Sequence, residues 1–294
     1  MSDKFLGLKF FQDYREEIKK SLNDKDIKVI YTDCDGTLLN DKGSVINDSE
    51  GKYFFGALEC LELLDRKGID LVMVSGRNKL QLKYNAQMVN LKNYIAELGS
   101  EVVYDTGRKV YMTYDKKNYK YNFASLNEDF ERVIKLLKNN FPGKIECKID
   151  WNKNRHTNIL LLGEIDIDTA NKLLQENGFD DYILINNGTT SLYQVELNTK
   201  KTYFYNLMPK GIDKSTGVKF DKKHRNFKKE NCLALGDSKE DIKMASEVEY
   251  FFLMNNDIDD EKDLIKVLRN CDNVYITDGK MNRGFTEVIK YLFT

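Results

Sequence analysis

Short apolar runs alternate along this chain with segments whose apolar residues recur at helical spacing. The runs predict buried strands at residues 28–32, 71–74, 232–235, 250–254 and 274–277. The helical segments lie between or after them, at residues 54–67, 241–248 and 284–293. Because the strands lack a polar alternation, they predict a parallel sheet that is covered by helices on both faces.

The middle of the chain has a different order of elements. A helix at 123–140 precedes strands at 144–149 and 158–162, and a helix at 168–177 precedes strands at 182–185 and 191–197. This repeat predicts an α+β domain inserted into the parallel sheet. We therefore expect an N-terminal helical extension over 1–27, with a helix from Phe5 to Leu22, a core of 28–112 and 208–294, and an inserted domain of 113–207.

Composition narrows the class of protein. The 294 residues are 41% hydrophobic and 32% charged, with 46 basic against 47 acidic residues, which is typical of a globular protein without affinity for nucleic acid or anionic membranes. No apolar run approaches the ~20 residues of a membrane-spanning helix, and residues 1–9 lack the apolar segment of a secretory signal. We therefore expect a cytoplasmic protein without a membrane partner.

Cysteines and histidines restrict the chemistry. The five cysteines are scattered and never form a CxxC pair, which favours reduced, mostly buried thiols. Two histidines, His156 and His224, are too few for a multi-histidine metal site and argue against a Ser-His-Asp hydrolase. If the protein is an enzyme, its catalysis is therefore expected to depend on carboxylates.

Polar side chains follow three of the predicted strands directly. Asp33, Ser75 and Asp237 each come after an apolar run, and the carboxyl ends of strands line the ligand crevice of open α/β sheets. Asp33 and Asp35 are two residues apart, close enough to share a cation and a reacting group. Thr37 offers a hydroxyl and a backbone N–H to a phosphate oxygen. These residues predict phosphate chemistry at one edge of the sheet.

Four segments together resemble a known superfamily. Asp33-Cys34-Asp35-Gly36-Thr37, Ser75-Gly76-Arg77, Lys214 and Gly236-Asp237-Ser238-Lys239-Glu240-Asp241 resemble, in order, the four motifs of the haloacid dehalogenase-like superfamily. The inserted repeat resembles the larger cap of its Cof-like and sugar-phosphate phosphatases. The resemblance runs from about Lys28 to the C-terminus. It implies an α/β fold with a Rossmann-like, doubly wound parallel sheet and an inserted α+β cap domain.

The resemblance also implies roles for the carboxylates. Asp33 is implied to be the nucleophile that forms an aspartyl-phosphate, and Asp35 the general acid and then the general base. Magnesium is implied to bind the Asp33 carboxylate, the Asp35 backbone carbonyl and the Asp237 carboxylate, with Asp241 in its outer shell.

Phosphate-binding groups follow from the same resemblance. Thr37, Ser75 and the Gly76 backbone are implied to hydrogen-bond phosphate oxygens, and Lys214 to neutralise their charge. In the fourth motif, Ser238 and Glu240 stand where the superfamily often has Gly and Asn. Glu240 is therefore expected to change the charge balance near the metal.

The function implied is hydrolysis of a small phosphorylated metabolite, such as a sugar phosphate, by a monomer or homodimer. A phosphomutase or phosphotransferase of the same superfamily is the nearest alternative, and a non-catalytic binding protein of the same fold is another. A dehalogenase is disfavoured, because Asp35 and Asp237 serve no purpose in halide displacement. In the inserted domain, residues 153–157 and 187–190 are expected to form solvated turns.

Overall fold

A computed structural model describes residues 7–115, 128–189, 197–256, 258 and 262–294. By backbone contacts the chain divides into two compact units. The first consists of Met1–Arg77, Gln81–Thr113 and Asp213–Thr294, and the second of Asn78–Leu80 and Tyr114–Ile212. The domain boundary expected after residue 207 falls inside a strand that runs to Pro209.

An eight-stranded sheet forms the centre of the first unit. Its strands are β1 Val29–Thr32, β2 Asp70–Val74, β3 Tyr94–Ala96, β4 Glu101–Tyr104, β5 Lys109–Met112, β10 Cys232–Gly236, β11 Tyr250–Leu253 and β12 Val274–Ile276. The order is β12-β11-β10-β1-β2-β3-β4-β5. The predicted parallel sheet is confirmed from β12 to β2. It continues with β3 in parallel and with β4 and β5 antiparallel, and these three strands were not predicted.

Helices cover both faces of this sheet, as the apolar strands predict. The helices of the first unit are α1 Phe11–Leu22, α2 Gly56–Arg66, α3 Lys79–Met88 except for its first two residues, α7 Lys214–Arg225, α8 Lys239–Ile242, α9 Lys262–Leu268 and α10 Met281–Phe293. Alternate residues of β1 enter separate cores: Ile30 packs with α1, α2 and α10, and Tyr31 with α7 and α9. The helix predicted at 241–248 is instead the short α8 followed by a 3₁₀ turn.

The N-terminal helix is part of the first unit's core. Phe11 is fully buried, and its ring lies 5.3 Å from that of Phe252 and 5.8 Å from that of Tyr291. The helix that was predicted to begin at Phe5 is not helical over residues 7–10, and it begins at Phe11. The reason is that the backbone of Phe10 pairs with Ile276 at the edge strand of the sheet.

The second unit contains a four-stranded antiparallel sheet. Its elements are α4 Glu128–Asn140, β6 Ile145–Glu146, α5 Ile149–Asn152, β7 Ile159–Gly163, α6 Ile167–Glu176, β8 Tyr182–Thr189 and β9 Tyr203–Pro209, with strand order β6-β7-β9-β8. The strand predicted at 144–149 is wrong beyond Glu146, because Ile149 begins α5. The strand predicted at 191–197 lies outside the described residues except for its last residue, as do residues 123–127 of the first predicted helix.

Two segments of the second unit were expected to form solvated turns. In the first, before β7, this expectation is wrong: Arg155 and Thr157 are 5% and 3% exposed, and Arg155 Nη1 donates to Asn158 Oδ1 at 2.8 Å. A polar cluster is therefore buried where the sequence pattern indicated a hairpin in water. In the second, Asn187 and Gly188 are exposed as predicted, whereas the last residue lies outside the described residues. Strand β9 was not predicted.

Two further sequence expectations concern thiols and membranes. The five cysteines are free, and all but Cys271 are buried. Within the described part of the chain, no helix combines the length and the apolar character needed to cross a membrane.

Candidate active site

Asp33 and Asp237 meet at one edge of the sheet because the strands that carry them are parallel neighbours. Thr32 at the end of β1 is in register with Leu235 of β10, and the Asp33 N–H donates to the Leu235 carbonyl at 2.9 Å. Gly36 has φ 83°, and a Cβ at this position would lie 2.3 Å from Asp237 Oδ2. Only glycine therefore lets the loop after β1 pass beside the Asp237 carboxylate.

Lys214 joins two of the buried carboxylates. Its Nζ donates to Asp33 Oδ1 and, at 2.5 Å, to Asp241 Oδ1. Lys214 is the first residue of α7, whose N-cap Asp213 accepts from the Thr216 N–H. A Cβ on Gly99 would lie 1.9 Å from the Asp213 carbonyl oxygen, so the helix start comes this close to the sheet only because residue 99 is glycine.

Three carboxylates form a cluster that could hold a cation. Oxygens of Asp33, Asp237 and Asp241 all lie within 4.8 Å of one another. Asp241 is fixed by its second oxygen, which accepts from the N–H groups of Asp237 and Ser238 and from the Ser238 hydroxyl at 3.1, 2.9 and 2.6 Å. Asp241 therefore orders the start of α8 and also pairs with Lys214.

The electrostatics of the cluster favour a bound cation. Burial raises the pKa of Asp33 to about 7, against the opposing charge of Lys214. Burial and then the charges of Asp33 and Asp241 raise the pKa of Asp237 well above its usual value, although the residue as a whole is only partly buried. Asp241 is also buried, but the Lys214 ammonium and Ser238 hold its pKa low. A divalent cation would relieve the repulsion between these carboxylates.

The residues present fit a hard divalent metal. Every side-chain donor in the cluster is a carboxylate oxygen, which is the ligand type preferred by magnesium and calcium. Lys214 supplies one positive charge against three carboxylates, so the cluster keeps a negative excess when all three are ionised.

Asp35 lies beside this cluster and is held by an arginine. Arg77 Nε donates to Asp35 Oδ2 at 2.8 Å, and Nη2 donates to Oδ1 at 2.5 Å. The other terminal nitrogen of Arg77 donates to Asn85 Oδ1 at 2.8 Å. The Asp35 side chain is 45% exposed, far more than that of Asp33 at 8%. The two aspartates of the first motif thus occupy different environments.

Thr37 and Ser75 are buried beside the ends of β1 and β2. The Thr37 hydroxyl is buried, and no partner donates to it or accepts from it within the described residues. The Ser75 hydroxyl accepts from the Arg77 N–H at 3.2 Å, and the Ser75 N–H donates to Ile95. An unpaired buried hydroxyl is costly, so Thr37 is suited to a phosphate oxygen. Gly76 follows Ser75 directly in the same turn.

Sequence reasoning missed Asn256. Its amide nitrogen donates to the Gly36 carbonyl at 2.7 Å and to Asp237 Oδ2 at 3.1 Å, while its Oδ1 accepts from the Met281 N–H at 3.0 Å. The signal in the sequence was its position shortly after β11, which places Asn256 at the same end of the sheet as Asp33 and Asp237 but does not reveal its pairing with Asp237.

The expected influence of Glu240 on the metal is not seen in the cluster. Glu240 Oε2 accepts from Lys243 Nζ at 2.6 Å, and its carboxylate is not among the three that lie within 4.8 Å of one another. The acidic residue at this position is therefore neutralised by its own helix neighbour.

Comparisons with known proteins show which proteins this chain is similar to. The model of the haloacid dehalogenase-like hydrolase family matches residues 30–274. The glucosyl-3-phosphoglycerate/mannosyl-3-phosphoglycerate phosphatase of Persephonella marina is 28% identical over 235 residues, which is 75% of this chain and 82% of that protein.

Two further relatives extend over nearly the whole chain. The 5-amino-6-(5-phospho-D-ribitylamino)uracil phosphatase of Bacillus subtilis is 26% identical over 280 residues, covering 91% of this chain and 96% of that one. The crystal structure of a sucrose-phosphatase from Synechocystis, in complex with sucrose and phosphate, superposes with a TM-score of 0.61 at 15% identity, over 91% of this chain and 98% of that one. At this identity the last comparison shows the fold alone.

Proposed function

Since this chain belongs to the haloacid dehalogenase-like hydrolases and is a phosphoric monoester hydrolase, we propose that it dephosphorylates a small phosphorylated metabolite through an aspartyl-phosphate on Asp33. The observation that carries the proposal is the buried contact of Lys214 with both Asp33 and Asp241, beside Asp237. Burying three carboxylates and one ammonium together near the carboxyl ends of parallel strands is costly for stability. Such a cluster is therefore better explained by phosphoryl transfer than by a role in the fold.

In the first step, an Asp33 carboxylate oxygen attacks phosphorus while the bond from phosphorus to the leaving oxygen breaks. Lys214 holds Asp33 in place and offsets negative charge on the transferring group. Asp35 gives its proton to the leaving oxygen, so that an alcohol departs and not an alkoxide. The unpaired hydroxyl of Thr37, together with Ser75 and Gly76, is suited to bind the phosphoryl oxygens.

In the second step, Asp35 takes a proton from a water molecule, which attacks phosphorus. The acyl-phosphate bond breaks, phosphate is released and Asp33 returns to a carboxylate. The partial exposure of Asp35 gives it access to the leaving group and to water, whereas Asp33 is shielded.

We propose Mg²⁺ as the metal, held by the carboxylates of Asp33 and Asp237 and the Asp35 backbone carbonyl. When bound, this ion would neutralise charge on the phosphoryl group and orient it for in-line attack. Asp241 and Asn256 keep Lys214 and Asp237 in position for this set.

A sugar phosphate or phosphorylated polyol is the substrate class we propose. Support comes from two relatives, whose names specify glucosyl- or mannosyl-3-phosphoglycerate and a uracil with a phosphorylated ribitylamino group as their substrates. The second unit, with its own sheet and helices, is proposed to be the cap domain that gives specificity.

The test is phosphate release from p-nitrophenyl phosphate and a panel of sugar phosphates, with magnesium and with a chelator. We expect metal-dependent turnover that is lost in Asp33→Asn. Turnover that needs added sugar bisphosphate would point to a phosphomutase, and turnover that survives Asp33→Asn would contradict the proposal.

A further inference from the structure

A buried carboxylate outside the candidate active site ties helix α7 to two strands of the sheet. Asp221 is 1% exposed and lies on α7, the helix that begins with Lys214. Its Oδ2 accepts from the Tyr31 hydroxyl of β1 at 2.6 Å, and its Oδ1 accepts from the Tyr104 hydroxyl of β4 at 2.6 Å. Arg225, one turn further along α7, donates to Oδ2 from Nε at 3.1 Å and from Nη2 at 2.5 Å. The proposed reaction uses none of these groups.

This cluster orders the helix more than it stabilises the fold. The side chains of Asp221 and Arg225 are only 1% and 18% exposed, and a buried ion pair is seldom more stabilising than apolar side chains of the same volume. Burial, and then the charge of Asp221, raise the pKa values of Tyr31 and Tyr104, so both hydroxyls keep the protons that they donate. A fully hydrogen-bonded buried network rigidifies the elements that it joins.

Asp221 and Lys214 connect the same helix to the same strand. The two residues are seven positions apart, which places them on one face of α7 and about 10 Å apart along its axis. Tyr31 and Asp33 are two positions apart in β1 and the turn that follows it, a span of about 7 Å. Lys214 donates to Asp33, and Tyr31 donates to Asp221. Movement of α7 along or around its axis therefore disturbs both contacts together.

The packing at the start of α7 holds the helix close to the sheet without interlocking. A Cβ on Gly217 would lie 2.5 Å from the Ile95 side chain and 2.9 Å from Gly99 Cα. Glycine allows this close approach, but it offers no side chain that fits into a groove, so the contact resists movement along the helix axis only weakly. The directional bond between Tyr31 and Asp221 supplies the missing restraint.

We propose that Asp221, through its bond with Tyr31, is a positioning residue that holds Lys214 at the correct distance from Asp33. This inference rests on the proposed function, in which Lys214 places the nucleophile and offsets charge on the transferring phosphoryl group. Asp221 touches neither substrate nor reacting atoms. Because small displacements of a catalytic group cost much in rate, loss of the bond should lower kcat and leave KM almost unchanged.

Tyr31→Phe and Tyr104→Phe form a matched pair, because each removes one buried hydroxyl that donates to Asp221 at 2.6 Å. Only Tyr31 lies on the strand that leads to Asp33, and in Tyr104→Phe the bond from β1 to Asp221 remains. With p-nitrophenyl phosphate we expect kcat to fall about 10-fold in Tyr31→Phe and less than about twofold in Tyr104→Phe. Melting temperatures should fall by similar amounts in the two variants.

Equal losses of kcat in these two variants would overturn the inference, because a purely structural role is shared by both hydroxyls. Asp221→Asn is the second variant, in case Tyr31→Phe does not fold. It keeps the volume and an acceptor oxygen but loses the charge that Arg225 and the tyrosines bind. Its kcat should fall at least as far as that of Tyr31→Phe, and an unchanged kcat would also overturn the inference.

A thermodynamic cycle with Lys214→Met tests the same contact without turnover. Denaturant midpoints in a chelator are compared for this change in the wild type, in Tyr31→Phe and in Tyr104→Phe. If the bond to Asp221 holds Lys214 in place, Lys214→Met should lower the midpoint less in Tyr31→Phe than in the wild type, and equally in Tyr104→Phe. Equal losses in all backgrounds would overturn the inference even if the protein is a phosphatase. A smaller loss in Tyr31→Phe alone supports it even if no ester is hydrolysed.

Discussion

Arg77 donates two hydrogen bonds to the carboxylate of Asp35, from Nε to Oδ2 at 2.8 Å and from Nη2 to Oδ1 at 2.5 Å. Such a paired contact fixes the plane of the carboxylate as well as its position. Both side chains are partly exposed, so the pair adds about 1 kcal/mol or less to stability. The main contribution of the Arg77–Asp35 contact is therefore to hold Asp35, the group proposed to protonate the leaving oxygen, in position.

We expect Arg77→Gln to lower kcat for sugar phosphates more than for p-nitrophenyl phosphate, because nitrophenolate leaves without a proton. Arg77→Lys keeps the charge but not the two-point contact, so it should recover little activity. Steady-state kinetics with both substrates measure this, with Arg66→Gln as a control on an exposed arginine. In the Asp35→Asn background the Arg77 change should have no further effect, and additive losses would contradict the positioning role.

Lys214→Met should destabilise the metal-free protein by about 3–5 kcal/mol, because it leaves Asp33 and Asp241 buried without their cation. Denaturant unfolding in a chelator measures the change. Lys219→Met, at an exposed position on the same helix, should stay within about 0.5 kcal/mol. Adding Asp241→Asn to Lys214→Met should recover part of the loss. If Lys214→Met lowers the free energy of unfolding no more than Lys219→Met does, the contact of Lys214 with Asp33 and Asp241 does not stabilise the protein.

Magnesium should stabilise the protein more at high pH than at low pH. Burial raises the pKa of Asp33 to about 7, from about 3.9 in an unfolded chain. Its contribution to stability is therefore complete below about pH 4 and is lost as the pH rises through about 7, where a metal would replace the proton. Melting temperatures with magnesium and with chelator, at about pH 5 and about pH 8, test this. Equal shifts at both pH values, or an unchanged pattern in Asp33→Asn, would contradict it.

Asn256→Leu should weaken magnesium binding about 10-fold or more, since it removes the donor that orients Asp237. Titration of the metal by calorimetry measures this. Asn255→Ala is the matched control, because its backbone N–H bonds to Gly279 but its side chain is not part of the site. Equal affinities in the two variants would show that Asn256 does not support the metal.

Sequence patterns predicted the strands that carry the chemistry because those strands are apolar on both faces and end in polar turns. β1, β2 and β10 were predicted within a residue or two, and their order along the sheet brings Asp33 and Asp237 together. β3, β4 and β5 were not predicted, because β3 has only three residues and the hairpin of β4 and β5 that extends the parallel sheet has no distinct periodicity.

The parts of the site that depend on distant side chains could not be predicted in detail. The pairing of Arg77 with Asp35 and of Asn256 with Asp237 joins residues 42 and 19 positions apart, which no local pattern reveals. Similarly, the bond between β1 and the buried carboxylate of α7 spans 190 positions. Local patterns therefore located the carboxylates of Asp33 and Asp237 but not the side chains that orient them.

A covalent phosphoryl group on Asp33 is the intermediate that we propose, and chemical trapping tests for it most directly. The magnesium-loaded enzyme is quenched during turnover of its best substrate and treated with borohydride, which reduces an acyl-phosphate to an alcohol. Peptide mass spectrometry should then find homoserine at position 33 in the wild type and none in protein without substrate. Turnover without any reduced residue, or reduction at a different aspartate, would contradict the account.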